Sequence, residues 1–341
     1  MSHAGSHLTI GVDIGGTKVA GGVVDEAGLV LERLRADTPS TSRREIQHAI
    51  VGVANELASR HPARAVGVGA AGFVDASRSS VLFAPHLAWR HEPLREAIQE
   101  LIRLPVVVEN DANAAAWAEY RFGAGRGEPD LVCVTLGTGI GGGVVTDGVL
   151  RRGRYGVAGE FGHMCLVPGG HRCECGNRGC WEQYASGNAI VRESREVLAS
   201  GSPLAQGFLE RVGGRPEALT GADVTGAARN GDAVAVEIME EVGRWLGIGL
   251  ANLAAAYDPG CLVVGGGVAD AGEMLLAPAR HAFRRQLTGR GYRPEARIVQ
   301  AALGNDAGLV GAADLARDVA LRFATRRRRR KRPGGLSSRR G

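Results

Sequence analysis

The sequence lacks a long hydrophobic run, and this absence excludes membrane-embedded proteins. No stretch of about 18 consecutive apolar residues occurs in the 341 residues, so we expect no transmembrane helix and no membrane contact. The N-terminal residues also lack the basic start and apolar core of a signal peptide. With 44% hydrophobic and 23% charged residues, the composition is that of a globular protein, and we expect a cytoplasmic one.

The sequence has little positive charge outside its C-terminal end, which argues against a nucleic-acid-binding body. The whole chain has a net charge of +5, but residues 322–341 contain ten of its 41 Lys and Arg residues and no acidic residue. Without that segment the net charge becomes −5. We expect a disordered basic tail at 322–341, and contact with nucleic acid or polyphosphate, the less favoured interpretation, would be confined to it.

Two common nucleotide-binding motifs are also absent. Gly-x-x-x-x-Gly-Lys-Ser/Thr does not occur, and no Gly-x-Gly-x-x-Gly opens a helix in a βαβ unit, which argues against P-loop NTPases and Rossmann dehydrogenases. Three other glycine turns each follow a predicted strand and bring backbone N–H groups close to phosphate oxygens. One such turn is typical of a hairpin, but three favour a nucleotide site. The candidate residues are Asp13, Gly15, Gly16, Thr17, Lys18, Gly137, Thr138, Gly139, Gly265, Gly266 and Gly267.

Hydrophobic periodicity predicts an α/β protein with two related halves. Apolar strands precede and follow the first two glycine turns. Nine residues from Gly16 (GTKVAGGVV) and nine from Gly137 (GTGIGGGVV) share six identities. We interpret this similarity as two duplicated α/β lobes that face one ligand, and chance similarity between Gly/Val-rich segments is the open alternative. The segment Gly201–Gly221, rich in glycine, is expected to be a surface excursion.

Asp13 and Lys18 flank the first glycine turn and have charges suited to a bound nucleotide. We expect Asp13 to contact Mg²⁺ through water and Lys18 to neutralise phosphate charge. A surface ion pair is the alternative, and it is less favoured because Asp13 ends an apolar strand.

Asp111 follows the apolar strand 105–108 and precedes an alanine-rich segment that favours a helix. Its carboxylate has two open interpretations, as the N-cap of that helix or as a general base. Glu109, Asn110 and Asn113 add polar groups at the carboxyl end of this strand, where α/β proteins bind ligands. An aspartate there suits phosphoryl transfer to an alcohol, because phosphate positioning dominates such reactions.

Three of the six cysteines, Cys173, Cys175 and Cys180, fall within eight residues. In a reducing compartment this density favours a metal site over disulfides. With one histidine, His163 or His171, the thiolates would complete a closed tetrahedral Zn²⁺ site of the structural kind. Such a site would order the loop 160–182.

The other three cysteines are expected to have different surroundings. Cys133 and Cys261 lie in apolar strand-like runs and are predicted to be core residues. Cys165 is also expected in the core, with a role as a spare metal ligand as the alternative.

Together these motifs resemble the bacterial glucokinases of the ROK family. The resemblance covers roughly residues 8–320, and its most specific part is the cysteine segment. The motifs occur in the order of the family: DIGGTK (13–18), ENDANA (109–114), GTGIGGG (137–143), EFGH (160–163), CECGNRGCWE (173–182) and GGGV (265–268).

The resemblance implies the actin-like ATPase (ribonuclease H-like) fold, with two duplicated α/β lobes and an active site in the cleft between them. It implies ATP-dependent phosphorylation of the 6-hydroxyl of glucose, with Mg²⁺ and a structural Zn²⁺. Asp111 would be the general base, and His163 would be both the fourth zinc ligand and a sugar contact. The sugar-binding set implied is Gly72, Asn110, Asp111, Glu160, His163 and Glu182.

The expected domains follow from this fold. They are a flexible segment 1–7, a small lobe 8–112 completed by a helix at about 305–321, a large lobe 113–304, and the tail 322–341. We also expect a homo-oligomer, either a dimer or a tetramer.

Two alternatives and one departure from the family pattern remain. The family includes sugar-responsive repressors, but only seven residues precede the first predicted strand and Asp111 is present, so we expect an enzyme. Fructose, N-acetylmannosamine or N-acetylglucosamine could replace glucose as substrate, and polyphosphate could replace ATP as phosphoryl donor; by family analogy the zinc cluster argues against polyphosphate. Family members commonly have asparagine where this chain has His86, which puts one sugar contact in doubt.

Overall fold

The structure is a computed structural model that describes residues 7–15, 18–37, 42–84, 87–211 and 214–330. Its strands, in chain order, are β1 Thr9–Ile14, β2 Lys18–Val24, β3 Val30–Asp37, β4 Val66–Ala70, β5 Phe73–Val74, β6 Val81–Phe83, β7 Arg90–Glu92, β8 Val106–Asn110, β9 Leu131–Leu136, β10 Ile140–Thr146, β11 Val149–Arg151, β12 Cys261–Gly265 and β13 Arg297–Gln300.

The α-helices are α1 Arg43–Arg60, α2 Leu94–Gln99, α3 Asp111–Arg121, α4 Glu182–Ala185, α5 Gly187–Ala199, α6 Pro203–Arg211, α7 Gly221–Arg229, α8 Ala233–Tyr257, α9 Glu273–Gln286 and α10 Ala307–Arg330. Short 3₁₀ helices occur at Phe161–His163, Pro216–Ala218, Gly267–Ala271 and Gly304–Asp306. Within the described part of the chain, none of the helices is long and apolar enough to cross a membrane.

The chain forms two compact units, and the first is discontinuous in sequence. The first unit contains Met1–Ala114 and Gly308–Gly341, and the second contains Ala115–Ala307. Each unit has its own buried core of branched and aromatic side chains, such as Trp89 in the first and Trp181 in the second.

Each unit is built on a five-stranded sheet of the same topology. The strand order is β3-β2-β1-β4-β8 in the first and β11-β10-β9-β12-β13 in the second. In both sheets the hairpin strands pair antiparallel and the following crossover strands pair parallel. Val19 pairs with Ile14, and Ile140, which aligns with Val19 in the sequence repeat, pairs with Leu136. The predicted duplication is therefore confirmed.

Glycines in the strands of the first sheet let helix α10 approach its backbone closely. A Cβ at Gly67 would lie 1.8 Å from the carbonyl oxygen of Ala312, and one at Gly11 would lie 2.0 Å from that of Leu309. Any larger side chain would have to displace the helix, as is typical where glycine allows a close backbone contact. This packing places the first turn of α10 beside Asp13, because a Cβ at Gly308 would lie 3.4 Å from the carboxylate.

One expectation about secondary structure is wrong. The segment 201–221 contains helix α6, whose Ala205 and Phe208 lie one turn apart and are buried, so it contributes to the core. The backbone of α10 continues to Arg330, into the segment 322–341 that is predicted to be a tail. Arginine and alanine favour helix, and the first proline after Ala307 is Pro333. Residues 331–341 lie outside the described part.

Candidate active site and metal centre

Three parallel strands of the first sheet end side by side and carry the acidic groups of the candidate active site. Asp13 of β1 is in register with Gly69 of β4, and Gly69 is in register with Glu109 of β8. Gly69 leaves room between the carboxylates, because a Cβ there would lie 3.4 Å from Asp13 Oδ1 and 3.8 Å from Asp111 Cα. The carboxyl ends of these strands thus form one acidic edge, as sequence position suggested.

The N-cap of helix α3 is Asn110, so the side chain of Asp111 does not cap this helix. Asn110 Oδ1 accepts the backbone N–H of Asn113 at 2.9 Å, which is the hydrogen bond of an N-cap residue. Asn110 Nδ2 donates to Asp111 Oδ1 at 3.1 Å and to the carbonyl oxygen of Gly72 at 3.1 Å. Asp111 is the first residue of α3; the residue as a whole is partly accessible, but its carboxyl group is buried. Three of the predicted sugar-binding residues, Gly72, Asn110 and Asp111, are therefore in direct contact.

Both carboxyl groups at this edge have raised pKa values. Burial, followed by repulsion from Asp111, raises the pKa of Asp13 to about 7, although a hydrogen bond from the backbone of Ile14 opposes the change. Burial also raises the pKa of Asp111, opposed by backbone hydrogen bonds at the start of α3. Two carboxylates with raised pKa values at a strand edge are typical of a site that binds a cation or transfers a proton.

Asp13→Asn is expected to stabilise the protein at alkaline pH. The folded-state pKa of about 7 lies above the value of 3.8 for an unperturbed aspartate. Asp13 therefore contributes stability that is present below the unfolded pKa and lost as pH rises through about 7. Urea unfolding at pH 8 should show the variant more stable by up to about 4 kcal/mol, with little difference at pH 4. Equal effects at both pH values, or an equal gain for the exposed Asp318→Asn, would contradict this account.

The second glycine turn is held by backbone hydrogen bonds to the start of α5. Gly137 N–H donates to the Gly139 carbonyl at 3.0 Å, and the N–H of Gly187, which begins α5, donates to the Gly137 carbonyl at 2.8 Å. A Cβ at Gly139 would lie 2.5 Å from Glu182 Oε2. Thr138 accepts the N–H of Asn188 through its carbonyl oxygen at 3.3 Å. The turn thus joins strand β9 to the first turn of α5.

The third glycine turn follows β12 in the same unit. Gly266 has a φ of +82°, and a Cβ there would lie 2.4 Å from the carbonyl oxygen of Leu136. Gly265 ends β12 and Gly267 begins a 3₁₀ helix.

The first glycine turn lies in the first unit, where Gly15 N–H donates to the carbonyl of Lys18 at 2.9 Å. Gly16 and Thr17, which are also predicted to bind the nucleotide, lie outside the described residues, as does His86.

The predicted zinc ligands lie together in the second unit. Ligand atoms of His163, Cys173, Cys175 and Cys180 all lie within 4.8 Å of one another. His163 Nδ1 is 3.6 Å from Cys173 Sγ, and Cys175 Sγ is 3.6 Å from Cys180 Sγ. Zinc bound tetrahedrally to sulfur at about 2.3 Å separates its ligands by roughly 3.8 Å. Three thiols and one imidazole at this spacing therefore fit a structural zinc ion.

The alternative ligands named from the sequence have other surroundings. The ring of His171 packs against Tyr184, with 5.3 Å between the ring centroids. Cys165 is exposed, and its Sγ contacts the carbonyl oxygen of Arg178 at 3.6 Å, so the expectation that Cys165 lies in the core is wrong. The strand residues Cys133 and Cys261 are buried, as predicted.

Glu182 connects the metal centre to the second glycine turn. Its Oε1 lies 3.5 Å from His163 Nδ1 and accepts a hydrogen bond from Cys173 Sγ at 3.1 Å. Its Oε2 accepts the backbone N–H of Ile140 at 3.4 Å. Glu160 lies on the same turn as His163, because its carbonyl oxygen accepts the N–H of His163 at 3.2 Å. Glu160, His163 and Glu182, predicted as sugar contacts, thus lie around one cluster.

Comparison with known proteins identifies the family of this chain. The model of the ROK family matches residues 9–319. The chain belongs to the ROK family. A glucokinase from Streptomyces coelicolor is 50% identical over 311 residues, which are 91% of this chain and 98% of that protein. A glucokinase from Thermotoga maritima is 35% identical, over 91% of this chain and 97% of that one.

Solved structures of ROK proteins have the same fold. The crystal structure of a ROK family glucokinase from Streptomyces griseus, in complex with glucose and AMPPNP, has a TM-score of 0.84 and 53% identity. The alignment covers 91% of this chain and 99% of that one. This chain therefore has the actin-like ATPase fold of the family, which confirms the predicted fold class.

One ion pair at the acidic edge, between Arg78 and Glu109, could not be predicted from the sequence. Arg78 Nε lies 2.8 Å from Oε2 of the buried Glu109, directly before Asn110 and Asp111. Glu109 was noted as a polar residue of the motif, but Arg78 lies 31 positions earlier in a turn without any recognisable pattern. The left-handed backbone of Arg78, with a φ of 56°, is visible only in the structure.

Proposed function

We propose that this protein is an ATP-dependent glucokinase that transfers the γ-phosphoryl group of ATP to the 6-hydroxyl of glucose. The observation that carries the proposal is the acidic strand edge, where Asn110 caps α3 and at the same time holds Asp111 through Nδ2. The glucokinases among its relatives, and the glucose and AMPPNP complex of the Streptomyces griseus enzyme, support the same substrates.

Asp111 acts as the general base in this proposal. One carboxylate oxygen accepts the proton of the 6-hydroxyl while the hydroxyl oxygen of the sugar forms a bond to the γ-phosphorus. The bond from the γ-phosphorus to the bridging oxygen of ADP breaks, and ADP leaves with the electron pair. The raised pKa of Asp111, caused by burial, makes the carboxylate a better proton acceptor than a solvated aspartate.

The glycine turns and Asp13 hold the nucleotide. In this proposal the turn residues bind the phosphates: Gly15, Gly16, Thr17, Gly137, Thr138, Gly139, Gly265, Gly266 and Gly267. The donors are backbone N–H groups of these turns other than those of Gly15 and Gly137, which already donate to the carbonyls of Lys18 and Gly139. Lys18, exposed at the start of β2, adds a positive charge. Asp13 would hold Mg²⁺, which would neutralise charge on the phosphates.

The residues around the metal centre contact the sugar. We assign hydroxyl contacts to Glu160, His163 and Glu182, in addition to Gly72, Asn110 and Asp111. Zinc would be held by His163, Cys173, Cys175 and Cys180. It would fix the orientation of His163 and of the loop 160–182 without taking part in the chemistry. Because Glu182 also contacts Ile140, the metal centre is coupled to the second glycine turn.

A coupled assay for ADP formation tests the proposal across a panel of hexoses. With ATP as donor we expect the highest kcat/KM for glucose, and lower values for fructose, N-acetylmannosamine and N-acetylglucosamine. A higher value for another hexose would change the substrate, and no turnover with any of them would contradict kinase activity. Polyphosphate as donor serves as the comparison, and we expect ATP to be preferred.

Cellular location and assembly are further parts of the proposal. We place the enzyme in the cytoplasm, where its substrate ATP is available and the cysteines stay reduced. We also expect a homo-oligomer, a dimer or a tetramer, which sedimentation equilibrium would measure. Contact of the basic segment 322–341 with nucleic acid or polyphosphate is the less favoured expectation.

A further inference from the structure

A hairpin turn presents Arg78 to the strand that leads to Asp111. The turn connects β5 to β6, and Asp75 Oδ1 orders it by accepting the backbone N–H groups of Ser79 and Ser80, each at 2.8 Å. Arg78 has a φ of 56°, a conformation that costs energy for any residue with a Cβ. Its carbonyl oxygen accepts the N–H of Val108 in β8 at 3.2 Å. The turn is therefore attached to the strand through its strained residue.

The side chain of Arg78 forms an ion pair that is largely removed from water. Its Nε lies 2.8 Å from Glu109 Oε2, and the side chains of Arg78 and Glu109 are 28% and 1% exposed. A carboxylate buried to this extent is costly unless it is paired and hydrogen-bonded. Arg78 supplies the charge that Glu109 requires.

Glu109, held by Arg78, also contacts the first of the active-site residues, Asn110. Its second oxygen, Oε1, accepts the backbone N–H of Asn110 at 2.9 Å. Asn110 in turn donates from Nδ2 to Asp111 Oδ1 at 3.1 Å. An unbroken series of polar contacts therefore runs from Arg78 through Glu109 and Asn110 to Asp111.

We propose that Arg78 and Glu109 form a positioning pair that holds Asn110 and, through it, the carboxylate of Asp111 in the orientation needed for proton transfer. The proposal rests on the function proposed above, in which Asp111 is the base. Neither Arg78 nor Glu109 is assigned a contact with substrate. A misplacement of a reacting group by about 1 Å is enough to lower a rate by about 100-fold, so indirect positioning has a measurable effect.

Three variants and one control test the pair. Arg78→Met keeps the Cβ and most of the side-chain length but removes the charge, and Glu109→Gln keeps an acceptor for Asn110 N–H but removes the ion pair. The double variant Arg78→Met/Glu109→Gln leaves no uncompensated charge. Arg95→Met is the matched control, because Arg95 Nη1 donates to the carbonyl of Ser77 in the same turn at 3.2 Å.

The expected pattern separates positioning from general loss of stability. Each single variant should lower kcat by about tenfold to 100-fold and raise the KM for glucose, with the KM for ATP changed less than about twofold. The double variant should be no slower than the slower single variant, because the two residues act as one unit. Arg95→Met should keep the kinetic constants of the wild type. All rates are measured well below the melting temperature of each variant.

Other outcomes would overturn the inference. Normal kcat in both single variants, additive losses in the double variant, or an equal loss in Arg95→Met would each contradict a positioning pair. Asp111→Asn is measured in the same assay to keep the two proposals apart. If that variant is slow and Arg78→Met is normal, the positioning inference alone fails. If Asp111→Asn turns over normally, the base assignment fails, and with it this inference.

Discussion

Asp111→Asn is expected to lower kcat by at least about 100-fold while the protein still binds glucose. Asparagine has nearly the same shape and can still contact Asn110 and a sugar hydroxyl, but it cannot accept the proton of the 6-hydroxyl. Because Asn110 provides the N-cap of α3, the substitution leaves the helix start intact and the loss will not come from unfolding. Turnover is measured by a coupled assay and glucose affinity by titration calorimetry.

A second aspartate provides the control for this experiment. Asp318 is exposed on α10 in the same unit, so Asp318→Asn makes the identical chemical change away from the strand edge. We expect that variant to have the kcat of the wild type. Near-normal turnover of Asp111→Asn would remove the base assignment. Loss of glucose binding together with turnover would instead show that Asp111 acts mainly as a sugar ligand.

Local patterns in the sequence predicted the glycine turns of the two sheets and several of their strands, but not the edge strands β3 and β13. A strand was predicted before each of the three glycine turns, and β1, β9 and β12 lie at these positions. The repeat at Gly16 and Gly137 identified the duplication, which both sheets confirm. The segment 201–221 was misjudged because its glycines and prolines obscured the short apolar face of α6.

The role of Asp111 could not be separated from that of Asn110 by sequence. Both residue types are strong N-caps, but only Asp111 was considered for that role from the sequence. The choice depends on where α3 begins, and the structure begins it at Asp111. The side chain left out of the cap is therefore the carboxylate, and this assignment required backbone geometry that no residue pattern encodes.

The sequence also could not predict which distant residues pair with buried charged side chains. Glu109 pairs with Arg78 across 31 positions. Glu119 is buried in the second unit and accepts backbone N–H groups from Ala302 and Leu303, more than 180 positions away. Such contacts depend on which chain segments meet after folding, so they have no local signature. They are also the contacts whose loss is costly, because a buried carboxylate without partners is strongly unfavourable.

Loss of the metal is expected to disorder the loop 160–182 and weaken glucose binding by at least about tenfold. Structural zinc in zinc-finger peptides contributes on the order of 10–16 kcal/mol of apparent binding energy. Before α4 this loop contains a single short 3₁₀ helix, at Phe161–His163, and isolated bridges such as Cys165 with Cys180. Cys175→Ser should therefore lose stoichiometric zinc, lower the melting temperature and raise hydrogen exchange in the loop.

The exposed Cys165 supplies a matched control for the metal experiment. Cys165→Ser removes a thiol from the same loop, but Cys165 is not one of the four clustered ligands. We expect this variant to keep zinc, melting temperature and glucose affinity. Metal-free protein with normal melting temperature and normal glucose affinity would refute a structural role for zinc. Since Glu182 contacts both the metal cluster and Ile140, loss of zinc should also weaken ATP binding, but less than it weakens glucose binding.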